Sequence, residues 1–266
     1  MKTFAIFILL IFIGLAVAVS FAQGDTVTIS AKDLLKKRLP VGNLSYVIFT
    51  RKTKEGPSEN LTIVDMKVER TSYQSRLAVA ITQQWESNGT IVHKAYTVLD
   101  WADFATLLHD TYWKRLGYSQ HFDFVTRNVS FDGPVADSVK NEIGKDFNDS
   151  FKDYNLNWHS DLLVFTLLPY KDGRIFKIKF FDPGFGPAED ATYTVIGSEF
   201  LQASSGKKVN CWVMTYRLSE GNGSLKFWIS KKTREVLKEE DSFNTGYRYK
   251  LKLEIPGEPK VSGPPR

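Results

Sequence analysis

The sequence predicts a mainly β fold, a curled antiparallel meander wrapped around a greasy helix. Three observations predict it. Apolar and polar residues alternate in run after run, the period-2 mark of half-buried strands. Short turn signals such as Asn-Gly join those runs, which makes neighbouring strands antiparallel. One segment, 162–168, is apolar nearly all round and ends at Pro169, as a helix enclosed on every side would be.

Composition narrows the class. Of 266 residues, 42% are hydrophobic, enough to bury a core and to argue against disorder. A single cysteine, Cys211, excludes an intrachain disulfide scaffold and a thiolate zinc site. A mean hydropathy of -0.24 does not fit a many-pass membrane protein. The net charge of +5 comes with no basic run beyond Lys36-Lys37-Arg38 and Lys231-Lys232, so no nucleic-acid partner is expected.

Taken in order, the elements begin with a leader. Met1-Lys2-Thr3 is short and positive, 4–19 carries no charge, and Ser20-Phe21-Ala22 supplies the small residues of a cleavage site. Residues 1–22 are therefore expected to be a signal peptide cleaved after Ala22, and the chain is not expected to be an integral membrane protein after cleavage. A single β-rich domain follows over 23–254. Ala31 to Leu39 predicts a short helix stopped by Pro40. Val64, Met66 and Val68 alternate with charged residues, and Leu77, Val79 and Ile81 with alanines. Asn88-Gly89 marks a hairpin. Trp101 to His109 fits either a helical turn or a wide hairpin connection. Asp137 to Tyr154 predicts a helix whose apolar stripe is Val139, Ile143, Phe147 and Phe151. Asn157 to Leu168 predicts the buried helix.

The second half returns to strands. Lys171-Asp172-Gly173 turns into a run with Phe176, Ile178 and Phe180 on one face. Trp212, Met214, Tyr216 and Leu218 share another face. Asn222-Gly223 and Ser230 to Arg234 flank a run of Leu225, Phe227 and Ile229, with Trp228 on its second face. Tyr247, Tyr249, Leu251 and Leu253 alternate with Arg248, Lys250, Lys252 and Glu254. These runs amount to about nine to eleven strands, and an open sheet of that size curls. Four of the ten prolines fall in 255–266, a flexible tail.

Catalytic patterns are missing. His93, His109, His121 and His159 form no paired helical ligand set, and each reads as a surface or partly buried histidine. There is no Gly-x-Ser-x-Gly elbow and no phosphate loop. Carboxylate runs such as Glu239-Glu240-Asp241 read as solvated faces, and Cys211 reads as an inert buried thiol. Asn-x-Ser/Thr triplets at Asn43, Asn60, Asn88, Asn128, Asn148 and Asn222 are what a threonine- and serine-rich β protein makes freely. No catalytic residue, metal or cofactor is expected.

The apolar helix at Asp161 to Pro169 is followed by the run Gly173 to Ile178. Then come Val209-Asn210-Cys211-Trp212-Val213, FWISKKTREVLK at 227–238, and Gly246 to Leu251. In these the chain resembles an exported bacterial, Bacteroidota-type family of unknown function, number 3108, similar in architecture to the lipoprotein carriers LolA and LolB. The resemblance covers 155–254 well and 40–135 in outline. It implies a half-open antiparallel barrel with one or two helices plugging the concave side, and it carries no catalytic residues. The chain lacks the lipidated cysteine of LolB, as soluble LolA does, and 134–160 reads as an insertion.

The aromatic faces supply the candidate ligand-binding residues. Trp212, Met214, Tyr216, Phe227, Tyr247 and Tyr249 are expected on a concave sheet surface, covered by Trp158, Leu162 and Phe165. These residues either fill a core or line a cavity between sheet and helix. The first expectation is an exported, periplasmic or envelope-associated, non-enzymatic binding protein for a lipid, acyl chain or other hydrophobic ligand. The alternative is a structural module of the envelope that meets a protein or glycan partner through a filled core and an exposed patch. A hydrolase ranks third.

Overall fold

The computed structural model describes residues 25–202, 206–218 and 223–253. The leader, the proline tail and Asn222 of the second hairpin signal lie outside the described residues.

The fold is mainly β, as expected. Its strands are β1 (Thr26–Thr28), β2 (Gly42–Arg51), β3 (Glu59–Tyr73), β4 (Arg76–Ser87), β5 (Thr90–Asp100), β6 (Thr106–Trp113), β7 (Tyr118–Asp123), β8 (Asn128–Asp132), β9 (Leu156–Asn157), β10 (Ile175–Phe181), β11 (Glu189–Gln202), β12 (Lys208–Arg217), β13 (Ser224–Ser230), β14 (Val236–Phe243) and β15 (Gly246–Lys252). Two α-helices join them, α1 (Asp137–Asp149) and α2 (Asp161–Thr166). The 15 strands among the described residues exceed the nine to eleven expected. Short edge pieces such as β1 and β9, with three and two residues, are too brief to show a period.

All strands belong to one sheet. Its path runs from β10 through β15, then to β2 and on to β8. The join is an antiparallel β15–β2 pair, with Lys250 opposite Ile48 and Lys252 opposite Tyr46. β1 and β9 both add parallel to β10. Asn88 and Gly89 take positive φ of 50° and 68° in the loop between β4 and β5, as the Asn-Gly signal requires. Asp100 to Ala105 is a wide hairpin connection rather than a helix: Asp100 N–H donates to the Ala105 carbonyl at 2.8 Å.

The sheet curls around α2. Leu162, Leu163, Val164, Phe165 and Thr166 of α2 are all buried. The Phe165 ring lies 5.0 Å from Phe227 and 5.1 Å from Tyr193. A six-residue helix does not hold itself in water. Burial stabilises it here, at about 1.5–3 kcal/mol for each large apolar side chain removed from water. The expected 157–168 helix is thus shortened. Leu156–Asn157 pairs with β10, and Trp158–Ser160 is one 3-10 turn before α2 begins. Ala31 to Leu39 likewise forms two 3-10 turns, Ala31–Asp33 and Lys36–Arg38.

Helix α1 closes the seam between the flanks of the sheet. Its Ile143 and Phe147 pack with Phe122 of β7 and Phe181 of β10. Val139, expected on the same stripe, is exposed, and the α-helix stops at Asp149 before a 3-10 turn at Ser150–Lys152. On the outer face of β12 to β14, Cys211, Val213, Trp228 and Leu237 form a small separate cluster. Among the described residues no helix is long and apolar enough to cross a membrane.

Candidate functional site

A cavity of about 280 Å³ lies between the Trp158–Leu162 segment and the inner face of the sheet. Strand periodicity builds its walls. Val64 and Met66 of β3 and Leu225 and Phe227 of β13 point inward at every second position and give it an apolar side. Trp85, Trp113, Trp158 and Phe185 give it an aromatic side. A larger groove of about 500 Å³ runs past Phe124, Arg127 and Phe151. No buried unpartnered polar atom lines that groove among the described residues, so the chemistry lies in the smaller cavity.

Its floor is charged. Glu239 pairs with Lys250 at 2.7 Å, and Arg248 reaches Asp241 at 2.5 Å and Glu239 at 3.4 Å. Glu239 and Asp241 are buried, which corrects the expectation that this carboxylate run is a solvated face. The register explains it. Asn244 and Thr245 make a two-residue loop that sets Asp241 opposite Arg248 and Glu239 opposite Lys250, and Glu239 sits opposite Phe227 on the inner face. Burial alone would raise the Glu239 carboxyl, but Lys250 and Arg248 outweigh it and hold it low. Burial and the Glu239 charge raise Asp241. At the N-terminus of α2, burial pushes Asp161 up to about 6 against the pull of Lys250.

At and behind the far wall, which Trp113 and His159 line, three histidines that the sequence separates come together. On the inner face of β5 and β6, His93 lies opposite Trp113 and Thr97 opposite His109. His159 comes in from the turn before α2, with its Nε2 3.2 Å from His93 Nε2 and its ring 4.7 Å from that of His109. Their expected surface or partly buried character is corrected: His93 and His109 are fully buried, and the His159 side chain is 8% exposed. Desolvation lowers His93 to about 4 and His109 to about 3, and lowers His159 well below the ordinary value. All three are neutral at neutral pH. Among the described residues no group of three or more His, Cys, Asp or Glu is arranged to hold a metal ion.

Donor and acceptor roles follow from the chain of contacts. His93 Nδ1 lies 2.9 Å from the Tyr112 carbonyl, which can only accept, so Nδ1 donates and His93 Nε2 accepts. His159 Nε2 must then donate to it. That leaves His159 Nδ1 as a lone pair, 3.5 Å from Asp182 Oδ1. Burial, with Asp161 adding, pushes Asp182 up to about 7 against the opposing effect of Arg115. Spare hydrogen-bonding atoms lie at Trp113 on this wall and in the layer behind it. His109 Nε2, Thr111 Oγ1, Trp113 Nε1, Gln120 Nε2 and Oε1, and Asn157 Nδ2 are buried without a partner. Buried polar groups are nearly always paired, so such a cluster is unusual.

The sequence-expected ligand residues separate into three groups. Trp158, Leu162 and Phe227 line the cavity. Phe165, Trp212, Met214 and Tyr216 lie in or against the packed core: Met214 is fully buried, Trp212 stacks on Tyr170 and Tyr216 on Tyr193. Tyr247 and Tyr249 are corrected, because they occupy the opposite face of β15 from Arg248 and Lys250. Tyr249 stacks on Phe49 there at 5.2 Å, outside the barrel.

Residues 49–252 match the model of a protein family of unknown function, DUF3108. No curated protein matches the chain. Among solved structures, the chain is similar to the β-barrel-like protein of the domain of unknown function DUF1849 from Brucella abortus. The two share 9% identity over 81% of this chain and 98% of that one, with a TM-score of 0.38.

Proposed function

This chain belongs to the DUF3108 family, and from that premise we propose that it is a non-enzymatic binding protein of the cell envelope holding an amphipathic ligand inside its half-barrel. One observation carries the reading: the cavity beneath Trp158 and Leu162 joins an apolar side to three buried polar atoms without a hydrogen-bond partner, Trp113 Nε1, His159 Nδ1 and Asp182 Oδ1. Ligand sites are typically concave and mostly apolar with a few convergent polar groups. The cavity is covered by one 3-10 turn and a six-residue helix rather than by a long strand. The positive start and uncharged run of 1–22 support export.

Denaturing mass spectrometry of freshly purified protein, followed by titration with a fluorescent acyl probe, tests this reading. Bound amphiphile is expected, or saturable probe binding that Leu162→Asp and the cavity-filling Met66→Trp both abolish. Ligand-free protein that takes no probe, or binding indifferent to both changes, overturns it.

A further inference from the structure

We propose that this ligand carries an anionic head group, received at the mouth of the cavity by Arg115 beside a proton-bearing Asp182. The inference rests on the cavity being a binding site and adds the chemistry of what enters it.

The first step is proton bookkeeping. The Tyr112 carbonyl fixes His93 as the Nδ1–H tautomer, and His93 in turn fixes His159 as the Nε2–H tautomer. His159 Nδ1 and Asp182 Oδ1, both without a hydrogen-bond partner, then face each other at 3.5 Å. A lone pair facing a carboxylate repels it. One proton between the two resolves this, and His159 is buried beside His93 and His109, where an imidazolium is costly. Below about pH 7 the proton therefore resides on Asp182, and the His159–Asp182 pair is neutral. The other charged groups facing Asp182 are Asp161 from α2 and Arg115 from the turn after β6.

The second step is the charge ledger. Lys250 and Arg248 are both engaged by Glu239 and Asp241. Arg115 is the remaining cation lining the cavity, and no carboxylate pairs with it among the described residues. Its guanidinium is held over Trp113 at 5.0 Å and Phe185 at 5.5 Å, so it stands ready at the rim. With Asp182 neutral, the carboxyl that acts on Arg115 carries no charge against an incoming anion, and the Asp161 and Glu239 carboxylates of the same cavity are drawn to Lys250. The apolar body then lies along Met66, Leu162 and Phe227.

Binding of three probes of equal chain, decanoate, decanol and decylammonium, tests this by calorimetry on the full chain. Decanoate is expected to bind about tenfold tighter than decanol, the scale of one charge-assisted contact. Arg115→Gln should erase that margin. As pH rises from about 7 to about 8.5 decanoate and Asp161 stay ionised while Asp182 loses its remaining proton, so decanoate affinity should fall about fourfold. Asp182→Asn, which keeps a neutral donor toward His159, should flatten that profile. Decanol or decylammonium binding as well as decanoate overturns the head-group inference and leaves the binding site standing. A decanoate margin that survives Arg115→Gln overturns it too. If none of the three binds, the binding site falls and the inference with it.

Discussion

Glu239 and Lys250 meet at 2.7 Å across β14 and β15, and both face the inside of the barrel. A buried ion pair often contributes little over an apolar pair of the same volume, but removing one partner is costly because the other charge stays buried. Lys250→Met should therefore lower unfolding free energy by about 3–5 kcal/mol, toward the lower end because Arg248 still reaches Glu239 at 3.4 Å. Adding Glu239→Leu should restore most of that loss. Urea denaturation of the two variants measures both, and an unharmed single variant would show that the pair is solvated.

That pair marks where sequence reading stops. Period-2 alternation identified β15, but alternation alone does not say which face is inside. Apolar residues normally face in, and Tyr247 and Tyr249 were expected there. The partner strand decides otherwise. Its Glu239 and Asp241 match Lys250 and Arg248 in the register of a two-residue loop, so the charges neutralise one another inside. Tyr249 finds Phe49 and Arg51 outside. Opposite charges at hairpin-matched positions were the legible signal. The histidines left no such trace: His93 and His159 are 66 positions apart and meet only because the plug enters the curl. The plug itself was legible, since a run without a polar face has to be enclosed.

The plug should also carry much of the stability. Phe165 is fully buried among Phe180, Tyr193 and Phe227, with ring centroids 5.0 to 6.5 Å away. Phe165→Ala leaves a cavity that a curved sheet cannot collapse to fill, at a cost of about 3–5 kcal/mol. For a domain of this size that lowers Tm by roughly 6–20 °C. Differential scanning calorimetry reads it directly. A shift of a degree or two would mean that α2 rests on the sheet without holding it.

The histidine wall makes a prediction about pH. Folding lowers His93 to about 4 and His109 to about 3, so the unfolded chain takes up those protons first. Their contribution to stability is complete above the unfolded value of about 6.5 and is lost as pH falls toward the folded values. Asp161 and Asp182 work the other way. Raised to about 6 and about 7, they favour the fold at low pH and lose that contribution as pH rises through those values. Between about pH 4 and about pH 6 the two slopes oppose each other, and the stability of the wild-type chain should change little. Asp182→Asn removes one of the opposing carboxyls and leaves the histidines less balanced. Its stability should fall more steeply than wild type as pH drops through that window. The difference should stay below about 1.4 kcal/mol per pH unit, because the Asp182 side chain is 37% exposed and solvent screens it. Nitrogen-15 spectra at about pH 6, well above the His93 value of about 4, should show His93 as the Nδ1–H and His159 as the Nε2–H tautomer. Parallel stability curves for the two chains, or a His159 imidazolium at pH about 6, would remove the proton from Asp182.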